Sequence, residues 1–322
     1  MKKETTNVLI TGGAGFIGSH LVDKLIEVFG DNVSITVIDD LRTGDLKNLQ
    51  KSLKKINLII NNIHNADNIY FNQYDVIYHL AADARVPYCS NYPLESNFNN
   101  VIITLELLEF CRLSQKNLKR FVFASSSAIY GNVDSNCFPT NELVPPNPLS
   151  NYALQKLTAE TYCELYRKNF GLPTVSLRFF NVFGERQNGS GPYSNIISSW
   201  ATKAVKNHPV RLDGTGEQSR DFIYVKDVVN ALYLSGFGEK KAEGIYNIGS
   251  GESHSVNEIK EIFTRHFPNL KIENSPPRLG DVEKTLSDSS KFIKLFNEFK
   301  LTNFYESLNK TIEWYKERYS EK

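Results

Sequence analysis

The most constraining feature of this chain is the run Thr11-Gly12-Gly13-Ala14-Gly15-Phe16-Ile17-Gly18, which sits between an apolar strand-like segment and a segment with helical period. Glycines 12, 15 and 18 recur at every third position. In a strand–turn–helix unit each has its own task. Gly12 permits the tight turn, Gly15 lets a pyrophosphate approach the backbone, and Gly18 lets the helix pack on the sheet. The helix N-terminus then presents free N–H groups to the phosphates. Glycine turns alone are common; the strand before and the helix after make this a dinucleotide motif. The second strand ends at Asp39, about 20 residues beyond the last glycine. A carboxylate there accepts hydrogen bonds from both adenosine ribose hydroxyls and repels a 2′-phosphate, which predicts NAD rather than NADP. Arg42 argues the other way, because a nearby arginine can accept a 2′-phosphate.

The rest of the N-terminal half repeats the same alternation. Val8–Thr11, Ile35–Asp39, Leu58–Ile60, Val76–Leu80, Phe121–Ser126 and Thr174–Phe179 read as strands. Most are continuous apolar runs, as strands covered on both faces should be. Between them lie helices. One carries Ile17, Leu21, Leu25 and Val28 on one face, another Val101, Leu105 and Leu108, and a third runs from about Tyr152 to Asn169 and stops at Gly171. This order predicts an α/β fold with a doubly wound parallel sheet. After Phe183 the pattern changes to a Gly- and Asn-rich loop, then short helices and strands. We expect a dinucleotide-binding domain over 1–183, with later segments returning to it, and a smaller substrate-binding lid mainly over 184–322.

Composition narrows the function. The 322 residues carry 37 basic and 36 acidic side chains, a net charge of +1. That balance gives no reason to expect nucleic acid or an anionic membrane as partner. Cys89, Cys111, Cys137 and Cys163 form no C-x-x-C pair, so neither a disulfide framework nor a zinc site is expected. No apolar run reaches the ~18 residues of a membrane span. A cytoplasmic protein without a metal is the expectation. The six histidines do not cluster: His79 reads as a packed strand residue, and His254 and His266 as surface residues.

Tyr152 and Lys156 stand four apart on one expected helix and so share a face. A tyrosine has a pKa of about 10 and is a poor base at neutral pH. A nearby ammonium, or a positive nicotinamide ring, favours its phenolate. Tyr and Lys at this spacing occur by chance in many helices. Here the serines Ser125, Ser126 and Ser127 end the preceding strand, on the edge where doubly wound sheets bind ligands.

With these residues in place, the chain resembles the extended short-chain dehydrogenase/reductases in their NAD-dependent epimerase/dehydratase branch, which have a Rossmann-like fold. The motifs are TGGAGFIG (11–18), VIDDLRTG (37–44), YHLAA (78–82), ASSSAIYG (124–131), YALQK (152–156), LRFFNVFG (177–184), SRDFIYVKDV (219–228) and PRLGD (277–281). The resemblance implies that Gly12, Gly15, Phe16, Ile17, Asp39, Asp40 and Thr43 hold the adenosine and pyrophosphate of NAD. Asn62 and Ile63 fall beside the adenine, with Asn in place of the usual Asp, and Leu80, Ala81 and Ala82 line the cleft. Tyr152 is implied as the base. Lys156 is implied to bind the nicotinamide ribose, and Ser126 to be the catalytic hydroxyl, with Ser127 as runner-up. Asn181, Arg220, Arg278 and Asp281 match positions that hold a nucleotide sugar. Tyr224 falls in a motif near the cofactor, where contact and packing are equally expected.

Two departures from the family separate the candidate reactions. The 4,6-dehydratases carry Asp-Glu after the catalytic Thr, and the decarboxylases keep the Glu; here these positions are Ser127 and Ala128. This weakens the dehydratase and decarboxylase readings and strengthens C4 epimerisation of a UDP-hexose, with a dehydratase or 4-keto reductase as the alternative. Galactose-type epimerases often place a Tyr where Thr285 stands. The smaller residue predicts room for an N-acetyl group, hence UDP-GlcNAc/UDP-GalNAc, with UDP-Glc/UDP-Gal as a second pair. Relatives pair through the helices at about 97–113 and 152–169, which implies a homodimer.

Overall fold

The computed structural model describes residues 5–66, 72–191, 194–277 and 282–320. The N-terminal part runs β1 (Thr6–Thr11), α1 (Phe16–Phe29), β2 (Val33–Asp39), β3 (Ile56–Ile60), β4 (Val76–His79), α2 (Val86–Asn91), α3 (Pro93–Asn97), α4 (Ile103–Ser114), β5 (Arg120–Ser126), α5 (Asn151–Phe170) and β6 (Thr174–Phe179). A π-helical turn, Phe98–Ile102, joins α3 to α4. There follow β7 (Asn181–Phe183), α6 (Ile196–Ala204), β8 (Val210–Asp213), β9 (Ser219–Tyr224), α7 (Val225–Phe237), β10 (Gly244–Ile248), β11 (Ser253–Ser255), α8 (Val256–His266), β12 (Ile272–Ser275), α9 (Ser290–Leu295) and α10 (Phe304–Ser320).

Seven strands form one parallel sheet in the order β10-β6-β5-β4-β1-β2-β3. Alternation along the strands sends Val8 and Ile10 to one apolar layer and Leu9 to the other. The first layer also takes Leu21 and Leu25 of α1 and Val228 and Leu232 of α7; the second takes Leu107 and Leu108 of α4 and Ala159 and Cys163 of α5. Two helical layers thus cover both faces, which is why the strands are apolar throughout. Val28, expected on the buried face of α1, is exposed, because α1 ends one residue later at Phe29. α5 is capped by the Ser150 hydroxyl, which accepts from Ala153 N at 3.2 Å, and by Gly171 at φ +67°.

The chain leaves β1 toward β2 and β3, then crosses to β4 on the other side of β1. That reversal opens a crevice beyond the C-terminal ends of β1 and β4, where ligands of such sheets bind. Two smaller sheets, β11-β9-β7 and β12-β8, stand beyond this edge. Among the described residues no helix is long and apolar enough to cross a membrane.

Candidate active site

The crevice contains a cavity of about 440 Å³. Gly12, Gly15, Phe16, Ile17, Asp39, Asp40, Thr43, Asn62, Ile63, Leu80, Ala81 and Ala82, the residues expected at the adenosine, the pyrophosphate and the cleft wall, all line it. Its shape depends on close backbone approach. Gly12 has φ +72°, and a Cβ there would lie 2.7 Å from Ala81 N; one on Gly18 would lie 2.3 Å from Gly12 O. Gly15, just before α1, gives the helix no side-chain cap, and its first turn holds no acidic residue. Its unpaired N–H groups are a donor set for a diphosphate.

Asp39 is more heavily engaged than the sequence suggests. Ala14 N donates to its Oδ2 and Leu41 N to its Oδ1, both at 2.9 Å, so it fixes the glycine loop to the end of β2. Burial pushes its carboxyl pKa upward against these hydrogen bonds. Asn48 Nδ2 and Asp45 N both bond Ala14 O at 3.0 Å from the other side. Arg42 is surrounded by carboxylates: Asp40 at 2.7 Å, Glu95 at 3.1 Å and Asp83 at 3.5 Å. Its charge is neutralised within the protein, which removes the feature that favoured a 2′-phosphate.

The far wall of the cavity was not foreseen from sequence. It comes from Arg186, Gln187 and Asn188 and from Trp314, Tyr315, Arg318 and Tyr319 of α10. Arg186 Nη1 and Gln187 Oε1 are buried without hydrogen-bond partners. The bare helix N–H groups at the floor fit an anionic dinucleotide.

Beyond Ala124, which also lines the cavity, lie the expected reactive groups. Lys156 is buried, and its Nζ donates to Ala124 O at 2.7 Å. Burial brings its pKa down to about 8. Ser126, two residues along β5, faces the same side as Ala124, accepts Ala128 N at 3.2 Å and lies beside the Tyr152 phenol. Burial pushes the Tyr152 phenol up to about 12, and the neighbouring Ser126 hydroxyl only partly opposes this. The Lys156 ammonium is directed to the Ala124 carbonyl. Neither Tyr152 nor Lys156 lines the cavity itself. The serine run divides: Ser125 Oγ donates to Glu160 at 2.6 Å in the core, Ser126 meets Tyr152, and Ser127 opens a 3-10 turn.

The expected substrate residues form a second group on the same edge. Ser126 is in register with Phe179, and Asn181 follows two residues later. Asn181 Nδ2 donates to Thr285 Oγ1 at 3.1 Å and to Asp221 O at 3.2 Å, and Asp221 N donates to Thr285 Oγ1 at 2.9 Å. Arg220 precedes Asp221 and donates to Ser219 O and Glu283 O. Arg278 and Asp281 lie outside the described residues. Tyr224 is a packing residue whose hydroxyl donates to Glu185 at 2.7 Å.

The histidines divide differently from the sequence reading. His79 is buried between the Thr11 and Thr104 hydroxyls at 2.7 and 2.9 Å, and burial takes its pKa down to about 3. His254 is not at the surface: it stacks on Phe304 with ring centroids 3.8 Å apart. Phe304 lies 50 residues downstream, beyond the reach of a local reading. His266 is half-buried beside Glu313. Among the described residues no group of three or more His, Cys, Asp or Glu could hold a metal ion.

Comparison with known proteins agrees with this geometry. Residues 8–249 match the model of the NAD dependent epimerase/dehydratase family. A putative UDP-glucose 4-epimerase of Methanocaldococcus jannaschii is 35% identical over 96% of this chain and 98% of its own length. The solved UDP-N-acetylglucosamine 4-epimerase of Methanobrevibacter ruminantium M1, in complex with UDP-N-acetylmuramic acid, superimposes with a TM-score of 0.90 at 35% identity, covering 98% of this chain and 99% of that one. The UDP-glucose 4-epimerase of Thermus thermophilus, in complex with NAD, does so with a TM-score of 0.86 at 32% identity, over 96% and 99%. A glycine cradle over an uncapped helix, a carboxylate at the end of β2 and a match that runs from β1 through β10 have one explanation: the chain belongs to the NAD-dependent epimerase/dehydratase family, and NAD is its cofactor.

Proposed function

We propose that the protein inverts C4 of a UDP-hexose, with UDP-GlcNAc/UDP-GalNAc as its preferred pair and UDP-Glc/UDP-Gal as a second. The observation that carries this reading is that Ser126 and Tyr152 stand together just beyond Ala124 of the cofactor cavity, on a turn whose next residues, Ser127 and Ala128, bring no carboxylate. Proton transfer at a hydroxyl needs a phenol and a relay; loss of water or carbon dioxide from the sugar needs a further acid or base.

Tyr152 takes the proton of the 4-hydroxyl, and Ser126 steers it. NAD, when bound, supplies a hydride acceptor for C4 and a positive ring that favours the tyrosine phenolate. The sugar is left as a 4-ketone, which turns within the pocket before reduction on its other face. Asn181, Arg220 and Thr285 hold the nucleotide-sugar side. Thr285 is compact and already hydrogen-bonded to Asn181 and Asp221, which favours space for an N-acetyl group. The related structure with UDP-N-acetylmuramic acid bound supports the same choice.

The test is incubation with UDP-GlcNAc, with the C4 configuration followed by NMR. The expected product is UDP-GalNAc of unchanged mass, with no net change in NAD. Tyr152→Phe should abolish turnover and retain NAD. Undiminished turnover in that variant would remove Tyr152 as the base. A product of altered mass would instead favour the dehydratase.

A further inference from the structure

The end of the sheet opposite Ser126 carries a second cavity of about 440 Å³, which shares no lining residue with the cofactor cavity. It lies where β5, β6 and β10 begin, with Arg120 as the first residue of β5 and Glu243 just before β10. Lys119, Arg120, Arg167 and Lys241 line it, against the single carboxylate of Glu243. Lys119 is paired with Asp75 at 3.0 Å and Arg167 with Glu164 at 2.7 Å. Lys241 is exposed and makes no ion pair among the described residues.

Arg120 is the unusual member. It is 7% exposed, its Nη1 donates to the carbonyl of Lys119, and its Nε is buried with no hydrogen-bond partner. A buried guanidinium is costly unless an anion pairs with it and its N–H groups are satisfied. Burial lowers its pKa, and Glu243 is the one charge that offsets this. Glu243 forms no ion pair with it within 4.0 Å. A guanidinium offers N–H groups in a planar fork that matches two oxygens of an oxyanion. The cavity is therefore lined by a guanidinium with no carboxylate partner and by an ammonium with no ion pair among the described residues.

We propose that this cavity binds a phosphate-class oxyanion, with Arg120 as the buried donor and Lys241 and Arg167 at the rim. The apolar Leu118, Leu172 and Pro173 also line it and leave room for an organic group beside the phosphate. The site lies at the far end of β5 from Ser126, so it can be occupied while substrate is bound.

The full chain, saturated with NAD and UDP so that its diphosphate sites are filled, is titrated with inorganic phosphate. Sodium chloride at equal ionic strength is the control, and the thermal unfolding midpoint is the readout. The expected result is a saturable rise with phosphate beyond that with chloride, as for any ligand of the native state. The phosphate affinity should fall about tenfold or more in Arg120→Gln, the loss expected for one charge-assisted hydrogen bond. Lys241→Glu alters only an exposed side chain, so it keeps the test open where Arg120→Gln does not fold; its phosphate affinity should also fall. A midpoint rise no larger than chloride produces, or one that Lys241→Glu leaves unchanged, would overturn the proposal.

Discussion

Lys156 and Tyr152 are both neutral-favouring positions, and that has opposite consequences for stability. Lys156 titrates at about 8 in the folded protein, below its ordinary 10.5. Between those values the unfolded chain binds the extra proton, so stability rises with pH through that window. Below about pH 8 the buried ammonium costs the fold about 3 kcal/mol. Tyr152, raised from 10 to about 12, works in the other sense: its contribution is present below pH 10 and lost as pH rises toward 12. The difference in unfolding free energy between the wild type and Lys156→Met cancels the tyrosine's contribution. It should shift in favour of the wild type by about 3 kcal/mol from pH 8 to 10.5, measured by denaturant titration at stepped pH. A flat difference would show that the ammonium is solvated in the native state. Thr285 carries the other residue-scale prediction. In Thr285→Tyr the added ring would occupy the volume assigned to the N-acetyl group. The ratio of kcat/KM for UDP-GlcNAc over UDP-Glc should fall about tenfold or more, and an unchanged ratio would assign the N-acetyl group elsewhere.

At the scale of elements, the site edge is held by a buried polar network rather than by apolar packing alone. Glu160 of α5 pairs with Arg178 of β6 at 2.6 Å, with side chains 2% and 4% exposed, and accepts Ser125 Oγ of β5. Arg178 Nη1 donates to the Tyr130 hydroxyl at 2.7 Å, and that hydroxyl donates to Asn247 of β10, also at 2.7 Å. One network thus ties α5 to three neighbouring strands directly behind Ser126. Glu160→Ala leaves a buried guanidinium without its carboxylate and should cost about 3–5 kcal/mol in equilibrium unfolding. A loss below about 1 kcal/mol would mean that water replaces the pair. None of this network was legible in the sequence. A glutamate on a helix reads as solvent-facing, and only tertiary folding brings Arg178 and Ser125 against it. The strands were legible, because burial on both faces leaves long β-branched and aromatic runs such as Phe121–Ala124. The serine run was legible as a group but not in its division between core, phenol and turn.

At the scale of the molecule, the readable half of the site is the half built from contiguous motifs. Gly12 to Gly18, Asp39 and Leu80 to Ala82 are local, and their chemistry follows from spacing. The wall from Trp314, Tyr315 and Arg318 was invisible because α10 reaches the cavity from the far end of the chain. What the molecule leaves exposed is equally informative. On α5, Leu154 and Leu165 are exposed, and Leu157, Thr158 and Thr161 lie between them on the same uncharged face. The neighbouring helix exposes Leu94, Phe98 and Ile102 at four-residue steps, then Leu113. Exposed apolar side chains on two adjacent helices are the kind of surface that marks an interaction site. An isologous contact of this surface with a second copy would bury both helices in a four-helix interface. The wild-type chain should therefore sediment as a dimer, and Leu154→Glu together with Ile102→Glu should give a folded monomer that still retains NAD, because neither residue lines the cofactor cavity. Sedimentation velocity with near-ultraviolet circular dichroism distinguishes the outcomes. A dimer that survives both charges would place the interface on another face.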